Sequence, residues 1–339
     1  MGDALGASIE FMSLADIRAR FGPDGLSGYA PVYGGTARIT DDTQMTLFTA
    51  EGLLRGVVRH TAKGICSYPS VVANAYLRWL RTQGEATSCE AALQGGDQGW
   101  LIGHTELHAR RAPGNTCLSA LRTLTQLGDR ACNSSKGCGG VMRVAPVGLF
   151  GLGEEAGHVF ELAAEVAAIT HGHPTGSLPA GVLAVLVQRL ACGESMAAAL
   201  EVAKACLLQR DAHEETLQAI EAAEALGSQP TVSADTAIRS LGKGWIAEEA
   251  LSISLYCALV AKDFRHGVLA AVNHDGDSDS TGAITGNLLG VRLGEAAIPS
   301  EWLAPLELRE VIAEMADDLL DCREWPAIDD ELWKKYPGF

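Results

Sequence analysis

Residues 196–226, MAAALEVAKACLLQRDAHEETLQAIEAAEAL, decide the fold class. Apolar residues recur at helical spacing, charged ones lie between them, and no proline interrupts. The spacing predicts one helix from Met196 to Leu226. Much of the apolar content of the whole chain is Ala and Leu, both strong helix formers, and aromatic residues make up only 6%. No alternating apolar and polar run of useful length argues for a strand. The expectation is an all-α protein.

Working outward, helices are expected at 69–83, 115–128, 154–170, 176–192, 247–262, 264–273, 281–293 and 306–321. A first helix runs from Asp3 to Phe21 and stops at Gly22-Pro23-Asp24-Gly25. Residues 22–39, rich in Gly with Tyr29 and Tyr33, read as a loop over a site. Another helix runs from Thr43 to Arg59, with Asp41 as N-cap and Gln44 three positions later. There is no fixed-period repeat, the linkers are short, and residues 1–339 read as a single domain.

A chain of 339 residues buries roughly 75% of its unfolded surface, so folding needs no disulfide. Its nine cysteines are scattered, odd in number and without a C-x-x-C pair, which fits reduced thiols and a cytoplasmic location. No signal peptide opens the sequence. The most apolar stretch, Pro179 to Leu190, is too short to span a bilayer and contains Gln188 and Arg189. The net charge of -16 argues against a nucleic-acid-backbone or anionic-membrane surface, because both need a positive field.

Two acidic segments stand out, each directly before a predicted helix: Thr40-Asp41-Asp42-Thr43 and Asp275-Gly276-Asp277-Ser278-Asp279-Ser280-Thr281-Gly282. One helix N-terminus accommodates one Asp as a cap, worth about 1 kcal/mol. Further carboxylates repel each other unless positive charge lies between them. Brought together, the segments offer hard oxygen ligands suited to Mg²⁺ or Mn²⁺ rather than Zn²⁺. Each segment taken alone also fits a plain helix cap in a polar loop. Glu10 lies seven positions after Asp3, on the same face of the expected helix, and is either a third contributor or a general base, or else an ordinary surface acid.

The run Asn133-Ser134-Ser135-Lys136-Gly137-Cys138-Gly139-Gly140-Val141-Met142-Arg143 allows close backbone approach to a ligand, or forms a tight turn. It lacks the Walker spacing. Thr170-His171-Gly172-His173-Pro174 ends a predicted helix, where His171 either bonds a sugar or phosphate or caps the helix. Arg110-Arg111-Ala112-Pro113-Gly114-Asn115-Thr116 precedes another, with Asn115 as cap or the helix end as an anion site.

Taken in order, Gly2-Asp3-Ala4-Leu5-Gly6 with Glu10-Phe11, the Thr40 and Gly276 segments, the Gly137–Arg143 run and Thr170-His171 resemble the ADP-ribosylglycohydrolase family. The resemblance covers nearly the whole chain. It implies an all-α orthogonal bundle with two divalent cations, Mg²⁺ or Mn²⁺. Matched position by position, the cation ligands are Thr40, Asp41, Asp42, Asp277, Asp279 and Ser280, and the catalytic group is Glu10 with Asp41, Asp42 and Asp279. Ser135, Gly137, Cys138, Gly139, Gly140 and His171 match the ADP-ribose cradle; several members carry Asn where this chain has Cys138. The implied activity is hydrolysis of the bond linking ADP-ribose to a protein or small-molecule acceptor, with ADP-ribose as product. A non-catalytic ADP-ribose binder on the same scaffold, and a hydrolase of another ADP-ribose-linked small molecule, are the rival readings. Loops 22–39 and 95–115 are expected to choose the acceptor.

Overall fold

The structure, a computed structural model, describes residues 1–89, 98–325 and 328–338. Its α-helices, in chain order, are α1 (Gly2–Gly6), α2 (Leu14–Phe21), α3 (Asp41–Lys63), α4 (Tyr68–Thr82), α5 (Asn115–Thr123), α6 (Ala145–Phe150), α7 (Ala156–Ala168), α8 (Pro174–Ala191) and α9 (Met196–Leu207). There follow α10 (Glu214–Gly227), α11 (Ala234–Leu241), α12 (Ala247–Val260), α13 (Phe264–Val272), α14 (Ser278–Leu293), α15 (Ser300–Leu303), α16 (Arg309–Asp321) and α17 (Asp330–Lys335). Among the described residues there is no strand, only the isolated bridges Val32–Gly35 and Gly137–Ile246. The all-α expectation holds.

The stretch that decides the class is nevertheless two helices, α9 and α10, rather than one. The apolar stripe lapses between Gln209 and Glu215, and Ala212 takes a left-handed φ of +57°. His213 Nδ1 and the Arg210 carbonyl lie 2.8 Å apart across that turn. The break lets α9 pack on α8 while α10 turns back onto α12. A longer helix would satisfy only one of those faces. α8 sits at the centre, apolar around its circumference and buried nearly throughout, against α6, α7, α9, α12 and α14. Each fully buried Leu or Val in it contributes about 1.5–3 kcal/mol. No helix is long and apolar enough to cross a membrane, and all nine cysteines are free thiols.

The expected first helix is also broken. Ser13 accepts a hydrogen bond from Asp16 N (3.1 Å) and so starts α2 afresh. Asp3 and Glu10 therefore do not share a helix face; Glu10 lies in the irregular turn between α1 and α2. At α3 the N-cap is Thr40, whose hydroxyl accepts from Asp42 N (3.2 Å), not Asp41. Gln44 takes no part in a capping box and instead bonds Ala109 O and the Trp79 indole. Asp3 performs the reciprocal half of the cap, accepting from Thr40 N (3.1 Å), Thr43 N (3.2 Å) and the Thr43 hydroxyl.

The short helix α1 positions the site. Its backbone lies directly on α14: a Cβ on Gly2 would stand 1.8 Å from Gly282 O, and one on Gly6 would stand 2.3 Å from Ser278 O. Only glycine allows that approach. With Asp3 gripping the start of α3 and Gly6 seated on the start of α14, α1 ties two helix N-termini together.

Candidate functional site

Both acidic segments lie at those helix N-termini. Asp41 and Asp42 fill the first turn of α3. Asp277 caps α14, and Asp279 and Ser280 lie in its first turn, one turn earlier than the sequence reading placed the helix. Their side chains and Glu10 line one cavity of about 490 Å³. Oxygens of Glu10, Asp277 and Asp279 lie within 4.8 Å of one another.

The electrostatics of this cluster are unbalanced. Among the described residues, none of the five carboxylates has a Lys, Arg or His ion-pair partner. Asp42 Oδ2 and Glu10 Oε2 are buried with no hydrogen bond. Burial, reinforced by Asp277, Asp41 and Asp3, pushes the Glu10 carboxyl up to about 9. Burial also holds Asp41, Asp42, Asp277 and Asp279 above the usual carboxylate range, most strongly Asp41, Asp42 and Asp279, where repulsion by neighbouring carboxylates adds to it. Backbone donors offset part of this: Gly114 N reaches Asp41 Oδ2 (3.3 Å), and Ser280 N reaches Asp279 Oδ1 (3.0 Å). An all-oxygen donor set with orphaned buried oxygens fits hard divalent cations.

The remaining walls come from three loops. In the glycine run, Gly137, Cys138 and Gly139 line the cavity, and Cys138 Sγ donates to Asp277 Oδ2 (2.7 Å). Burial pushes the Cys138 thiol up, and Asp277 adds to it, so it is a neutral donor. His171 lines the cavity from the end of α7. The 110–116 loop closes one side through Arg110, Ala112, Pro113, Gly114, Asn115 and Thr116. Its anchor is Arg111, which pairs with Glu307 and donates to Ile39 O (2.8 Å). Gly114, not Asn115, caps α5, and the Asp41 carboxylate accepts its backbone N–H.

Three of the expected residues lie behind the wall rather than on it. The Thr40 hydroxyl is occupied in capping α3. Ser135 Oγ bonds the Thr116 hydroxyl (3.0 Å) and accepts from Gly137 N (3.2 Å), bracing the loop from outside. Gly140 packs on α8, where a Cβ would meet Gly176 O at 2.7 Å. Loop 22–39 lines none of the cavity; it is tied back by Leu26 N to Asn273 Oδ1 (2.7 Å) and Tyr29 OH to Trp302 O (2.9 Å). Burial, with the charges of Glu10, Asp279, Asp41 and Asp3 adding to it, pushes the hydroxyl of Tyr33 in this loop up. Residues 95–97 of the expected 95–115 loop lie outside the described residues.

Residues 1–327 match the family described as ADP-ribosylglycohydrolase. The chain belongs to the ADP-ribosylglycohydrolase family. Over 314 residues it is 27% identical to ADP-ribosyl-(dinitrogen reductase) glycohydrolase of Rhodospirillum rubrum, covering 91% of this chain and 87% of that one. An uncharacterized protein of Archaeoglobus fulgidus is 28% identical, covering 95% and 93%. ADP-ribosylarginine hydrolase Tri1 of Pseudomonas putida is 24% identical, covering 95% and 75%. Among solved structures, a chain of an ADP-ribosylglycohydrolase-related protein complex matches with a TM-score of 0.63 at 27% identity, covering 95% of this chain and 93% of that one. The resemblance read from the ordered motifs is thereby established, as is the all-α fold of the ADP-ribosylglycohydrolase type.

Sequence reasoning missed parts of this ADP-ribosylglycohydrolase cavity. Phe11 and Trp245 line it as a stacked pair, ring centroids 5.9 Å apart and planes at 16°, although both rings are exposed (74% and 40%). The signal was an aromatic residue set between Gly244 and Ile246 in a polar stretch, with no helical stripe to place it in the core. Arg143 and Thr170, bonded to each other, lie buried beneath His171.

Proposed function

We propose that this chain hydrolyses the glycosidic bond joining ADP-ribose to a modified protein side chain or small-molecule acceptor, with two divalent cations, Mg²⁺ or Mn²⁺. The observation that carries the reading is the convergence of five buried carboxylates without a counter-charge on one cavity, in a member of a glycohydrolase family. A volume of about 490 Å³ lies within the usual range of ligand pockets, roughly 300–1,000 Å³.

Asp41, Asp42, Asp277, Asp279 and the Ser280 hydroxyl would hold the cations, with Thr40 setting the backbone beside them. When bound, the cations supply the charge that ionises these carboxylates, orient ribose hydroxyls or water, and lower the pKa of that water. Glu10, once ionised, accepts the proton of the attacking water. The water oxygen bonds the ribose C1 as the bond from C1 to the acceptor breaks, and the proton passes on to the leaving atom. Gly137, Cys138, Gly139 and His171 would cradle the diphosphate, held in place by Ser135 and Gly140. The Phe11–Trp245 pair offers a flat apolar face for the base.

Asp279→Asn tests the reading. We expect release of ADP-ribose from an ADP-ribosylated arginine peptide to fall more than about a hundredfold, since even the outer partners of a cation cost 10- to 100-fold. Stabilisation by Mg²⁺ should fall with it, while helical circular dichroism is unchanged. Full turnover of that variant in excess chelator overturns the mechanism. Tight ADP-ribose binding by the unaltered protein with no release from arginine, serine or nucleic-acid conjugates favours the non-catalytic binder.

A further inference from the structure

Beneath the cavity floor, a buried cation is joined to a cavity histidine through one hydroxyl. Arg143 is fully buried and has no carboxylate partner among the described residues; its guanidinium lies over the Tyr76 ring at 4.2 Å. Its Nη2 donates to Thr170 Oγ1 (2.7 Å) and Val166 O (3.3 Å). Thr170 Oγ1 in turn lies 2.8 Å from His171 Nδ1. His171 Nε2 lines the opposite side of this arrangement and makes no hydrogen bond among the described residues.

The direction of the Thr170–His171 bond follows from counting protons. The hydroxyl has one hydrogen and already accepts from Arg143. That hydrogen goes to His171 Nδ1 at 2.8 Å, to Ala167 O at 3.4 Å, or to the Cys117 thiol beside it, a weak acceptor. Ala167 O already accepts two backbone N–H groups, from Thr170 (3.2 Å) and His171 (3.1 Å), which occupy both its lone pairs. A hydroxyl polarised by a guanidinium is also the better donor. Nδ1 is therefore the acceptor and the imidazole hydrogen lies on Nε2. Burial, with Arg143 adding to it, pulls the imidazole down to about 3, so the ring is neutral at physiological pH.

The glycine run leaves that edge of the ring open. A Cβ on Gly137 would crowd Nε2 at 3.2 Å, and one on Gly139 would crowd the adjacent Cε1 at 3.1 Å. We propose that Arg143 and Thr170 are positioning residues that lock His171 as its Nε2–H tautomer, an uncharged donor aimed at a phosphate oxygen in the cavity. The phosphate part of this inference rests on the reading of the cavity as an ADP-ribose site. A neutral donor holds a diphosphate oxygen without bringing a second positive charge beside the cations, and its strength does not vary across neutral pH.

The test is long-range proton–nitrogen NMR of the full-length protein labelled at histidine, with the His171 signals assigned by their loss in His171→Gln. We expect a protonated Nε2 and a bare Nδ1 at neutral pH. Thr170→Val keeps the shape and removes the hydroxyl; it should give mixed tautomers and weaken ADP-ribose and inorganic pyrophosphate binding by about tenfold, the order of one lost hydrogen bond. Thr170→Ser should restore both. A wild-type spectrum with the proton on Nδ1 overturns the proposal, and does so even if the Val variant is unstable. So does a Val variant that keeps the Nε2–H tautomer and the wild-type affinity. An Nε2–H wild type that binds neither probe sustains the relay and overturns the assignment of the cavity to ADP-ribose.

Discussion

Helix α3 carries two buried acidic sites about two and a half turns apart, and they are opposites. Glu51 is fully buried between Arg55 (3.0 Å) and Arg78 (2.5 Å), and these two guanidinium groups hold its carboxyl below the usual range despite burial. Asp41 and Asp42, at the N-terminal end of the same helix, are buried to a similar degree, and burial, with the neighbouring carboxylates adding to it, raises them; no guanidinium answers them among the described residues. Burial alone therefore does not mark a functional site. The sign and completeness of the surrounding charge do: Glu51 is finished within the protein, whereas the Asp41–Asp42 cluster has no counter-charge among the described residues.

The largest effect expected from testing this contrast is at the finished site. Glu51→Gln leaves two buried arginines short of their counter-charge and should cost about 3–5 kcal/mol, read as a shift of the denaturation midpoint with or without Mg²⁺. Asp42→Asn should act in the opposite sense on the metal-free protein. Removing one of several repelling carboxylates should raise its midpoint by about 1 kcal/mol, the size of an ordinary point mutation. The same substitution should abolish the further stabilisation that Mg²⁺ gives the unaltered protein. Equal destabilisation by both variants would erase the distinction.

The smallest and most diagnostic effect is on pH dependence. Glu10 titrates at about 9 in the metal-free fold, against 4.5 as its ordinary value. The folded state thus binds more protons than the unfolded one between those values, so this contribution is complete below 4.5 and is lost as pH rises through 9. Each titrating group changes stability by at most about 1.4 kcal/mol per pH unit. The four aspartates push in the same direction; Glu51, with its lowered pKa, pushes the other way and weakens the fold only in acid. Thermal melts in chelator should therefore show falling stability from pH 6 to 9, and Mg²⁺ should flatten that slope while releasing protons on binding. A slope unchanged by Mg²⁺ would falsify the link between the cluster and a cation.

Much of this was legible in the sequence. Helix content follows from Ala and Leu at helical spacing, and the surplus of carboxylates at Asp41-Asp42 and Asp277-Asp279 pointed to one shared site that the fold does assemble. Helix ends were read less well. Ser13 and Thr40 cap through local bonds to Asp16 N and Asp42 N, whereas Asp3 serves a helix 37 residues away, which no local pattern shows. The bend at Ala212 depends on which partners α9 and α10 find. Periodicity carries no information about a partner. The relay under His171 was hidden for the same reason: Arg143 and Thr170 look like core residues until their hydrogens are counted.

The contact of α1 with α14 has a mechanical consequence. Where Gly2 and Gly6 touch Gly282 and Ser278, no side chain lies between the two backbones to flex, rotate or repack. On the α14 side the spacing of the two acidic segments is thus fixed by the thickness of two peptide chains, and on the α3 side by the Asp3 carboxylate. A single added methyl at Gly2 or Gly6 would move one jaw instead of being absorbed.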